Sequence, residues 1–445
     1  MECLIVIDMQ NEFLLPSGNF PNNHVPNETL IENVVTTIDK FRNKHCQIIY
    51  VKSVYSCNNN YHNVDKFAVG THCGKTPCCI QDSDGALMHS EILATIKEGD
   101  VLVTKNWFSA FKNTMLHEAL QERQITKIYF TGVKTNVCVK MTLIDALKHG
   151  YTVAVIEDCV AATNINKHFE ALNYIRSIGG EICYPELETD LRSFGEGDCT
   201  LFYNVLPNSI SKSVYQKLKE EVKFKEMFHA DKAVSRLVCV QGTITEDSKP
   251  IYRFPNDEYF DLEPWSPTME IIKSIVEVQL KHPINHAKIQ FYKDGLSYIS
   301  PHSDKTLDIA RGSCIINMSF GETRTFVLKK KSKECYEKQE IKLPHNSIFM
   351  FGLKTNMKWT HSVSKEPEIT GGRISIVFRN IATFETKDKQ IIGQGAKKDN
   401  NVIVDEKEEQ LRLIKCFSKE NKESEFDWEA TYGQGFSAFD FSKIN

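Results

Sequence analysis

The pattern of apolar and polar residues along the chain changes near residue 190. Before that point, short and continuously apolar runs alternate with longer stretches in which apolar residues recur at helical spacing. This alternation is typical of a parallel sheet that is covered by helices on both faces. We therefore predict a doubly wound α/β domain over residues 1–190. Its predicted strands are 3–7, 46–53, 100–104, 127–132 and 152–156, and its predicted helices are 27–44 and 136–149.

After a short linker at 191–197, most apolar runs are short and strand-like. Many short strands with few helices predict an antiparallel sandwich or barrel, here over residues 198–385. Residues 386–445 are polar and charged before they turn aromatic, which indicates a linker and then a tail that docks on a folded surface. The predicted helices of the second domain are 209–223 and 268–280, and its clearest strands are 287–292, 314–320, 325–328, 347–351 and 373–378.

Composition narrows the class of protein only slightly. A chain of 445 residues has room for two or three domains at roughly 100–200 residues each. A net charge of −4 argues against a globally basic nucleic-acid-binding protein but leaves room for a local basic patch. No apolar run approaches the roughly 18–20 residues of a membrane span, and we expect no signal peptide. The 14 cysteines lack the spacing of a secreted scaffold, so we expect reduced thiols in the cytoplasm or nucleus.

Three reactive side chains follow predicted strands of the first domain, where the carboxyl ends of parallel strands meet. They are Asp8, Lys105 and Cys138. A helix N-terminus and a neighbouring ammonium would favour the thiolate of Cys138, and a carboxylate could accept the thiol proton. The same residue types also occur as a buried thiol, a cap and a surface charge, and alone they favour that structural interpretation.

The sequence motifs around these residues favour a catalytic role instead. The chain resembles the isochorismatase-like cysteine hydrolases over roughly residues 1–190, in LIVIDMQNEF, VTKNWFSAF and GVKTNVCVKMTLIDALKHGYTVAVIEDCVAA. The resemblance implies that Asp8, Lys105 and Cys138 are the catalytic triad. It also implies a cis peptide at Val133-Lys134 that forms an oxyanion hole with the Cys138 N–H. The expected reaction is hydrolysis of a small-molecule amide or related carbonyl compound through a thioester, with a homo-oligomer expected through this domain.

One departure concerns metal binding. The nicotinamidase branch of that family carries an Asp-x-His metal motif between the first two triad residues, and this chain lacks it. Because paired CxxC and HxxxH spacing is absent, we interpret the thiols and imidazoles of this interval as loop side chains rather than zinc ligands. They are Cys57, His62, His72, Cys73, Cys78 and Cys79.

The second domain contains a set of residues whose spacing in the sequence is typical of metal ligands. His302 and Asp304 are two residues apart, so both side chains lie on the same side of an extended segment. With the distant His361 they form the two-His, one-carboxylate set that leaves three positions of an iron ion open. Arg373 and Arg379, six residues apart in one strand, could clamp two carboxylates. A solvated strand face is the alternative, but the apolar side chain between the arginines favours a pocket.

From about 198 to 385 the chain resembles the AlkB family of Fe(II)- and 2-oxoglutarate-dependent oxygenases. The resemblance lies in IQFYKDGLSYISPHSDKTLDIARGS, INMSFGETRTFVL, LPHNSIFMFG, WTHSV and GGRISIVFRN. It implies a double-stranded β-helix with supporting helices. It also implies that His302, Asp304 and His361 hold Fe(II), and that the domain uses O2 to oxidise 2-oxoglutarate to succinate. The coupled reaction hydroxylates an N-alkyl carbon, which is then lost as formaldehyde.

The same resemblance assigns the cosubstrate site. Arg373 pairs with the distal carboxylate of 2-oxoglutarate, Arg379 lies by its keto-acid end, and Tyr292 donates a hydrogen bond to it. Gln290 stands where the family usually has Asn.

The resemblance also extends to the substrate. The region SRLVCVQGTITEDSKPIYRFPNDEYF matches the family's nucleotide-recognition lid in position. Its Tyr252, Arg253 and Phe254 could stack on or clamp a base. Many DNA-repair members carry an acidic residue two positions after the iron-binding Asp, where this chain has Thr306. Because that acid helps to read a positively charged base, the base specificity stays open.

The leading hypothesis is therefore oxidative dealkylation of nucleobases in DNA or RNA, in one chain with a cysteine hydrolase. Two alternatives stay open. The oxygenase could act on a small molecule or a protein in a pathway that includes the hydrolase, or one of the two domains could be a non-catalytic scaffold.

Overall fold

The computed structural model describes residues 1–22, 25–55, 78–229, 232–254, 261–332, 336–398 and 406–438. The chain divides into two compact units, Met1–Glu186 and Leu187–Asn445. Within the described residues, no helix combines the length and the apolar character that crossing a membrane requires.

The N-terminal unit is built on a single sheet of six strands, all of them parallel. Along the sheet the strands follow the order β3-β2-β1-β4-β5-β6. The chain therefore starts in the middle of the sheet and winds outward in both directions, as the apolar pattern predicted. The strands are β1 (Glu2–Ile7), β2 (Gln47–Ser53), β3 (Val101–Lys105), β4 (Lys127–Val133), β5 (Thr152–Ala161) and β6 (Glu181–Cys183).

Helices connect these strands and bury one apolar face each. In the longest of them, the buried residues Leu30, Ile31, Val34 and Ile38 recur at helical spacing, so one face packs on the sheet. This helix ends with basic residues in its last turn, where the helix dipole favours positive charge. The helices are α1 (Asn11–Leu14), α2 (Asn27–Asn43), α3 (Ser90–Leu93), α4 (Leu116–Glu122), α5 (Lys140–Lys148) and α6 (Ile165–Ser177).

The C-terminal unit is mostly β-structure, arranged in a jelly roll as predicted. A large sheet has the order β12-β10-β13-β20-β15-β18-β8-β7, with β9 on the outer side of β10, and a smaller one has the order β14-β19-β16-β17. A third sheet has the order β11-β21-β22. The strands are β7 (Glu188–Thr189), β8 (Cys199–Tyr203), β9 (Lys225–His229), β10 (Lys232–Gly242), β11 (Ser248–Pro250), β12 (Glu263–Pro264), β13 (His286–Tyr292), β14 (Ile299–His302), β15 (Cys314–Gly321), β16 (Arg324–Lys330), β17 (Lys338–Leu343), β18 (Ser347–Gly352), β19 (Trp359–Val363), β20 (Arg373–Arg379), β21 (Thr383–Thr386) and β22 (Ile391–Gly393).

The two larger sheets face each other across one apolar core. Phe349 and Phe351 of the large sheet and Phe326 and Trp359 of the small one belong to the same buried cluster. The rings of Phe326 and Phe349 have centroids 5.3 Å apart, a distance at which aromatic pairs attract. Three helices complete the body of this unit: α7 (Asn208–Glu221), α8 (Pro267–Leu280) and α9 (Leu353–Lys358).

The end of the chain differs from the linker that the sequence indicated. Residues 406–438, here called the C-terminal segment, contain α10 (Glu406–Lys422) and α11 (Trp428–Tyr432). Leu413 and Phe417, one helical turn apart, pack with Tyr432 and Phe436 against Leu307 of the jelly roll. A helix with so narrow an apolar stripe and so many charges resembles a linker in sequence, because its stability comes from the surface on which it docks.

Candidate active sites

Two neighbouring strands of the small sheet bring together the predicted iron ligands. In the antiparallel pair of β14 and β19, His302 lies opposite His361, and Asp304 follows two residues after the end of β14. One donor atom from each of His302, Asp304 and His361 lies within 4.8 Å of the others. All three side chains therefore converge on one point, with the spacing that a single metal ion requires.

Hydrogen bonds orient these donor atoms. His302 Nδ1 lies 2.8 Å from the carbonyl oxygen of Ser300, so Nδ1 carries the proton and Nε2 is left for a metal. Arg379 donates to Asp304 Oδ2 at 2.7 Å, while Oδ1 of the same carboxylate lies 3.9 Å from His361 Nε2. The arginine thus holds one carboxylate oxygen and leaves the other facing the two imidazoles.

Burial and charge set the protonation state that a metal needs. Burial lowers the pKa of His361 to about 4 and that of His302 well below its ordinary value, so both rings are neutral at neutral pH. Burial alone would raise the pKa of Asp304, but the charge and hydrogen bond of Arg379 together with the two neighbouring imidazoles outweigh it and hold that pKa well below its usual range. Two neutral imidazoles and an ionised carboxylate are the ligand forms that bind a divalent cation.

Arg373 has hydrogen-bonding capacity that the protein does not use. Its side chain is only 1% exposed, and its Nη2 donates to Ser319 Oγ at 2.7 Å. Its Nε and Nη1 have no partner, and its guanidinium lies 5.2 Å from the ring centroid of Tyr292. Burial lowers the pKa of this guanidinium to about 10. A buried cation with two unused donors is costly unless an anion fills the gap, so the residues present fit the carboxylate of 2-oxoglutarate.

A cavity of about 570 Å³ surrounds the metal cluster. Gln290 and Tyr292 of β13 line it, together with Ser375, Val377 and Arg379, which lie on one face of β20. The pocket-facing strand that the arginine spacing predicted is therefore present. The Gln290 side chain accepts a hydrogen bond from Arg236 Nε at 2.7 Å.

The side chains of the three lid residues do not all face the cavity. Tyr252 and Phe254 line the cavity, whereas Arg253 does not. Arg253 is 3% exposed and donates to both oxygens of Asp308, at 2.7 and 3.1 Å. Its remaining donors meet the carbonyl oxygens of Gly395, Phe436 and Ala438. The prediction that Arg253 clamps a base is therefore wrong, because successive side chains of an extended segment face opposite sides.

The C-terminal segment supplies part of the cavity wall, which sequence reasoning missed. Four residues of α10 line the cavity: Ile414, Phe417, Ser418 and Asn421. The side-chain oxygen of Asn421 accepts from the Ser303 N–H at 2.8 Å and from Lys305 Nζ at 3.2 Å. The neighbouring Glu420 accepts from the Thr306 N–H at 2.9 Å and from the Tyr432 hydroxyl at 2.6 Å. Residues about 115 positions away in the sequence thereby hold the loop that carries Asp304.

In the N-terminal unit, the structure brings Asp8, Lys105 and Cys138 together in the interior. Asp8 follows β1, Lys105 ends β3, and Cys138 lies in a π-helical turn between β4 and α5. Lys105 Nζ lies 2.8 Å from Asp8 Oδ2 and 3.4 Å from Cys138 Sγ. Ser53, which sequence reasoning did not single out, bonds to both Asp8 at 3.0 Å and Lys105 at 2.6 Å. The Val133-Lys134 peptide bond is cis, as the resemblance implied.

The charge state of the thiol differs from the prediction. Burial raises the pKa of Cys138 to about 12, and the neighbouring Lys105 offsets only part of that effect. The prediction of a depressed pKa is therefore wrong, because the helix N-terminus and the ammonium act on a thiol that is shielded from water. The Asp8 carboxylate accepts a hydrogen bond from the thiol. The resting site thus holds a neutral thiol beside a carboxylate that can take its proton during attack on a carbonyl.

A second buried chain of polar groups supports the turn that carries the thiol. The His168 ring bonds to Thr135 Oγ1 at 3.0 Å and to Glu157 Oε1 at 3.2 Å. Burial raises the pKa of Glu157 to about 8 and lowers that of His168 to about 3, so both are neutral at neutral pH. Thr135 begins the turn of Cys138. No sequence signal identified this chain, since its members are far apart until the sheet forms.

The candidate zinc ligands are only partly visible. Cys57, His62, His72 and Cys73 lie outside the described residues. Cys78 is half-buried and Cys79 is buried, and the Cys79 N–H donates to Glu12 Oε2 at 3.2 Å. Across the parts of the chain that the structure describes, the cluster of metal-ligand side chains is the one around Asp304.

The comparison with known families agrees with both sites. Residues 2–184 match the isochorismatase domain family, and residues 198–379 match the 2OG-Fe(II) oxygenase superfamily. The chain joins these two enzyme families. The C-terminal segment lies beyond the matched part of the oxygenase domain and contributes part of the cavity wall through α10.

Curated relatives fall into the same two groups. The oxygenase domain is similar to DNA oxidative demethylase ALKBH2 of Bos taurus, with 31% identity over 27% of this chain and 45% of that protein. Its similarity to ALKBH2 of Homo sapiens is 28% identity over 41% of this chain and 73% of that protein. The N-terminal domain is similar to an Arabidopsis thaliana protein named "Probable inactive nicotinamidase", with 29% identity over 40% of this chain and 88% of that protein. The chain thus spans about half the length of the Bos taurus relative.

Proposed function

We propose that the C-terminal unit removes alkyl groups from nucleobases of DNA or RNA in an Fe(II)- and 2-oxoglutarate-dependent reaction. The observation that carries this proposal is the cluster of His302, Asp304 and His361, together with the buried Arg373 of the same unit, whose Nε and Nη1 lack partners. A metal-ligand set and an unpaired buried guanidinium in one domain are both satisfied when a metal and an anionic cosubstrate bind together.

In this proposal, His302 Nε2, Asp304 Oδ1 and His361 hold the metal. When bound, Fe(II) supplies the coupling of O2 reduction, 2-oxoglutarate decarboxylation and hydroxylation of the N-alkyl carbon. Arg379 keeps Asp304 ionised through its hydrogen bond at 2.7 Å. Three ligands on one side of the metal leave room on the other for the cosubstrate and oxygen.

The cosubstrate takes the position beside β20. Arg373 binds the distal carboxylate of 2-oxoglutarate through one of its free donors, Nε or Nη1, together with the second N–H of Nη2. Tyr292 and Gln290 line the cavity and orient the keto acid. Arg379 lies at the keto-acid end, where its contact with Asp304 places it beside the metal.

Three observations support a nucleobase as the substrate. The chain is similar to ALKBH2 of Homo sapiens, which is named a DNA oxidative demethylase, over 73% of that protein. The cavity volume of about 570 Å³ accommodates a base together with the cosubstrate. Two aromatic side chains of the lid, Tyr252 and Phe254, line the cavity, where a flipped base could contact them.

The test is an assay of the full-length protein with Fe(II), 2-oxoglutarate and oligonucleotides that carry single N-methylated bases. We expect formaldehyde and succinate in equal amounts, dependent on the methylated base. Succinate release that no methylated oligonucleotide stimulates would contradict a nucleobase substrate and would favour a small-molecule or protein substrate.

For the N-terminal unit we propose hydrolysis of a small-molecule amide through Cys138. As Sγ attacks the substrate carbonyl, Asp8 takes the thiol proton and then passes it to the leaving amine. Lys105 holds the carboxylate at 2.8 Å and stabilises its ionised form until the attack begins. Water then hydrolyses the thioester and releases the acid. Ammonia or amine release from an amide library by wild type, but not by Cys138→Ala, tests this reaction.

We expect the protein in the cytoplasm or nucleus, because the cysteines of the described residues are all free thiols. The two proposed sites share no residue. Loss of the thiol is therefore expected to leave the dealkylation rate unchanged.

A further inference from the structure

The wall of the oxygenase cavity carries more positive than negative charge. Four basic side chains line it, whereas Asp304 is the one lining carboxylate among the described residues. Arg379 is paired with Asp304 at 2.7 Å. Within the described residues, the other three lie beyond salt-bridge distance of any carboxylate. The four basic residues are Arg236, Lys288, Lys305 and Arg379.

Lys288 is the least satisfied of these groups. Lys288, Gln290 and Tyr292 occupy every second position of β13, so all three side chains face the cavity. Lys288 is 8% exposed, and within the described residues its amine makes one hydrogen-bond contact, to the thioether sulfur of Met227 at 4.0 Å. A thioether is a weak acceptor, so the N–H groups of a buried amine point into the cavity without adequate partners.

Each of the two lid aromatics already has a basic group of the protein over its ring. Lys288 Nζ lies 3.8 Å from the ring centroid of Phe254, and the Arg379 guanidinium lies 4.2 Å from that of Tyr252. A cation over a ring uses the negative potential of that face. These rings therefore offer a second cation, such as a positively charged alkylated base, less attraction than free rings would.

The pKa of Lys288 reflects the burial and the charges around its position. Burial lowers its pKa well below the ordinary value, and the charges of Arg236 and Arg379 lower it further against the opposing effect of Asp304. A positively charged base beside Lys288 would meet the same two arginines and the same burial. Bound Fe(II) and the 2-oxoglutarate dianion have formal charges that cancel, so they do not remove this imbalance.

We propose that Lys288 donates a hydrogen bond to a carbonyl oxygen of an uncharged N-alkylated base, and that the cavity selects such bases over positively charged ones. This inference rests on the proposed function and specifies its substrate class. It also gives a structural context to Thr306, which stands where an acid would favour a cationic base. A cationic base would need hydrogen-bond acceptors in the cavity wall, and the wall supplies donors instead.

The test uses two oligonucleotides that differ in one base, 3-methyluracil or 3-methylcytosine. Both carry the methyl group on the same ring nitrogen, but the first is uncharged with a carbonyl at position 4, and the second is cationic with an amino group there. We expect kcat/KM of the full-length protein to be roughly tenfold or more higher for 3-methyluracil, because like charges brought together in an interface are strongly disfavoured.

Lys288→Met keeps the length of the side chain but removes the charge and the donors. We expect the preference for 3-methyluracil to shrink at least several-fold, through slower turnover of this base and faster turnover of 3-methylcytosine. Lys329→Met is the matched control, because Lys329 is exposed and does not line the cavity. The control should retain the wild-type ratio. Succinate release without nucleic acid reports whether each variant is folded.

The outcomes separate the two claims. Equal turnover of both bases by wild type, or faster turnover of 3-methylcytosine, overturns the inference and leaves the proposed function standing. An unchanged ratio in folded Lys288→Met overturns the role of Lys288. Turnover of neither base, with succinate release intact, overturns the inference, and the proposed function falls with it if the other N-methylated oligonucleotides are not turned over either. The wild-type comparison needs no variant, so a folding defect in Lys288→Met does not leave the selectivity undecided.

Discussion

Replacing Arg373 by lysine tests the cosubstrate site most directly. The arginine donates to Ser319 through one N–H of Nη2, while its Nε and Nη1 have no partner, so an edge that includes Nη2 and one of these donors is open to a carboxylate. Lysine keeps a positive charge but cannot present two parallel N–H groups, so at least one hydrogen bond to 2-oxoglutarate is lost. A hydrogen bond to a charged group contributes about 1.5–3 kcal/mol, which corresponds to a KM for 2-oxoglutarate that rises roughly 10- to 150-fold.

The assay measures succinate release against 2-oxoglutarate concentration, at saturating oligonucleotide and added Fe(II). A second measurement follows the melting temperature with and without 2-oxoglutarate. Because a ligand that binds only the folded protein raises its stability, the cosubstrate should stabilise wild type clearly and Arg373→Lys much less. The KM for the oligonucleotide should change little, since the contacts of Arg373 are Ser319 and Tyr292 rather than the lid residues Tyr252 and Phe254.

Arg324→Lys is the matched control. Arg324 is also 1% exposed, but its donors meet Glu366 at 3.0 Å and the carbonyl oxygens of Asp294, Gly295, Ser297 and Ser364. Its loss should lower the melting temperature without a specific rise in the KM for 2-oxoglutarate. Equal weakening of both substrates by Arg373→Lys, or the same kinetic effect in Arg324→Lys, would refute the reasoning, because either result indicates a folding defect.

Three further predictions concern the metal, the C-terminal segment and the thiol. His302→Ala should abolish 2-oxoglutarate turnover with the fold retained, because two ligands hold Fe(II) too weakly; undiminished succinate release with added Fe(II) would contradict it. Asn421→Ala should lower kcat for dealkylation by roughly tenfold, since it removes the acceptor of the Ser303 N–H beside the metal loop, and an unchanged kcat would show that the loop holds itself. Cys138 should be alkylated more slowly at neutral pH than the less buried Cys46, because burial raises its pKa to about 12; peptide mapping in which Cys138 reacts first would refute that charge state.

Both folds could be predicted because their signals are local, whereas the roles of the site residues came from the family resemblances and local spacing showed only which side chains could meet. The strands of the N-terminal sheet are continuous apolar runs, and Asp8 and Lys105 lie at their carboxyl ends, which a parallel sheet brings to one edge. In the jelly roll, the two-residue spacing of His302 and Asp304 places both side chains on one side of an extended chain.

Other features depend on partners that are distant in sequence. The partner of Arg253, Asp308, is 55 residues away, and further acceptors come from the end of the chain. The alternation of side chains around Arg253 would have placed it opposite its two aromatic neighbours, but nothing local shows which side faces the cavity. The helix α10 was missed for a similar reason, since its narrow apolar stripe becomes informative only with the surface that covers it.

The sequence by itself determined the two fold families, the strands and which side chains could meet at each site, because periodicity and spacing act over a few residues. Only the tertiary structure decided the charge of those groups and the room around them. The pKa of Cys138 rises because neighbouring elements exclude water, and Lys288 is unpaired because no carboxylate among the described residues reaches it. Desolvation and long-range charge are sums over atoms from the whole domain, so they exist only once the chain is folded.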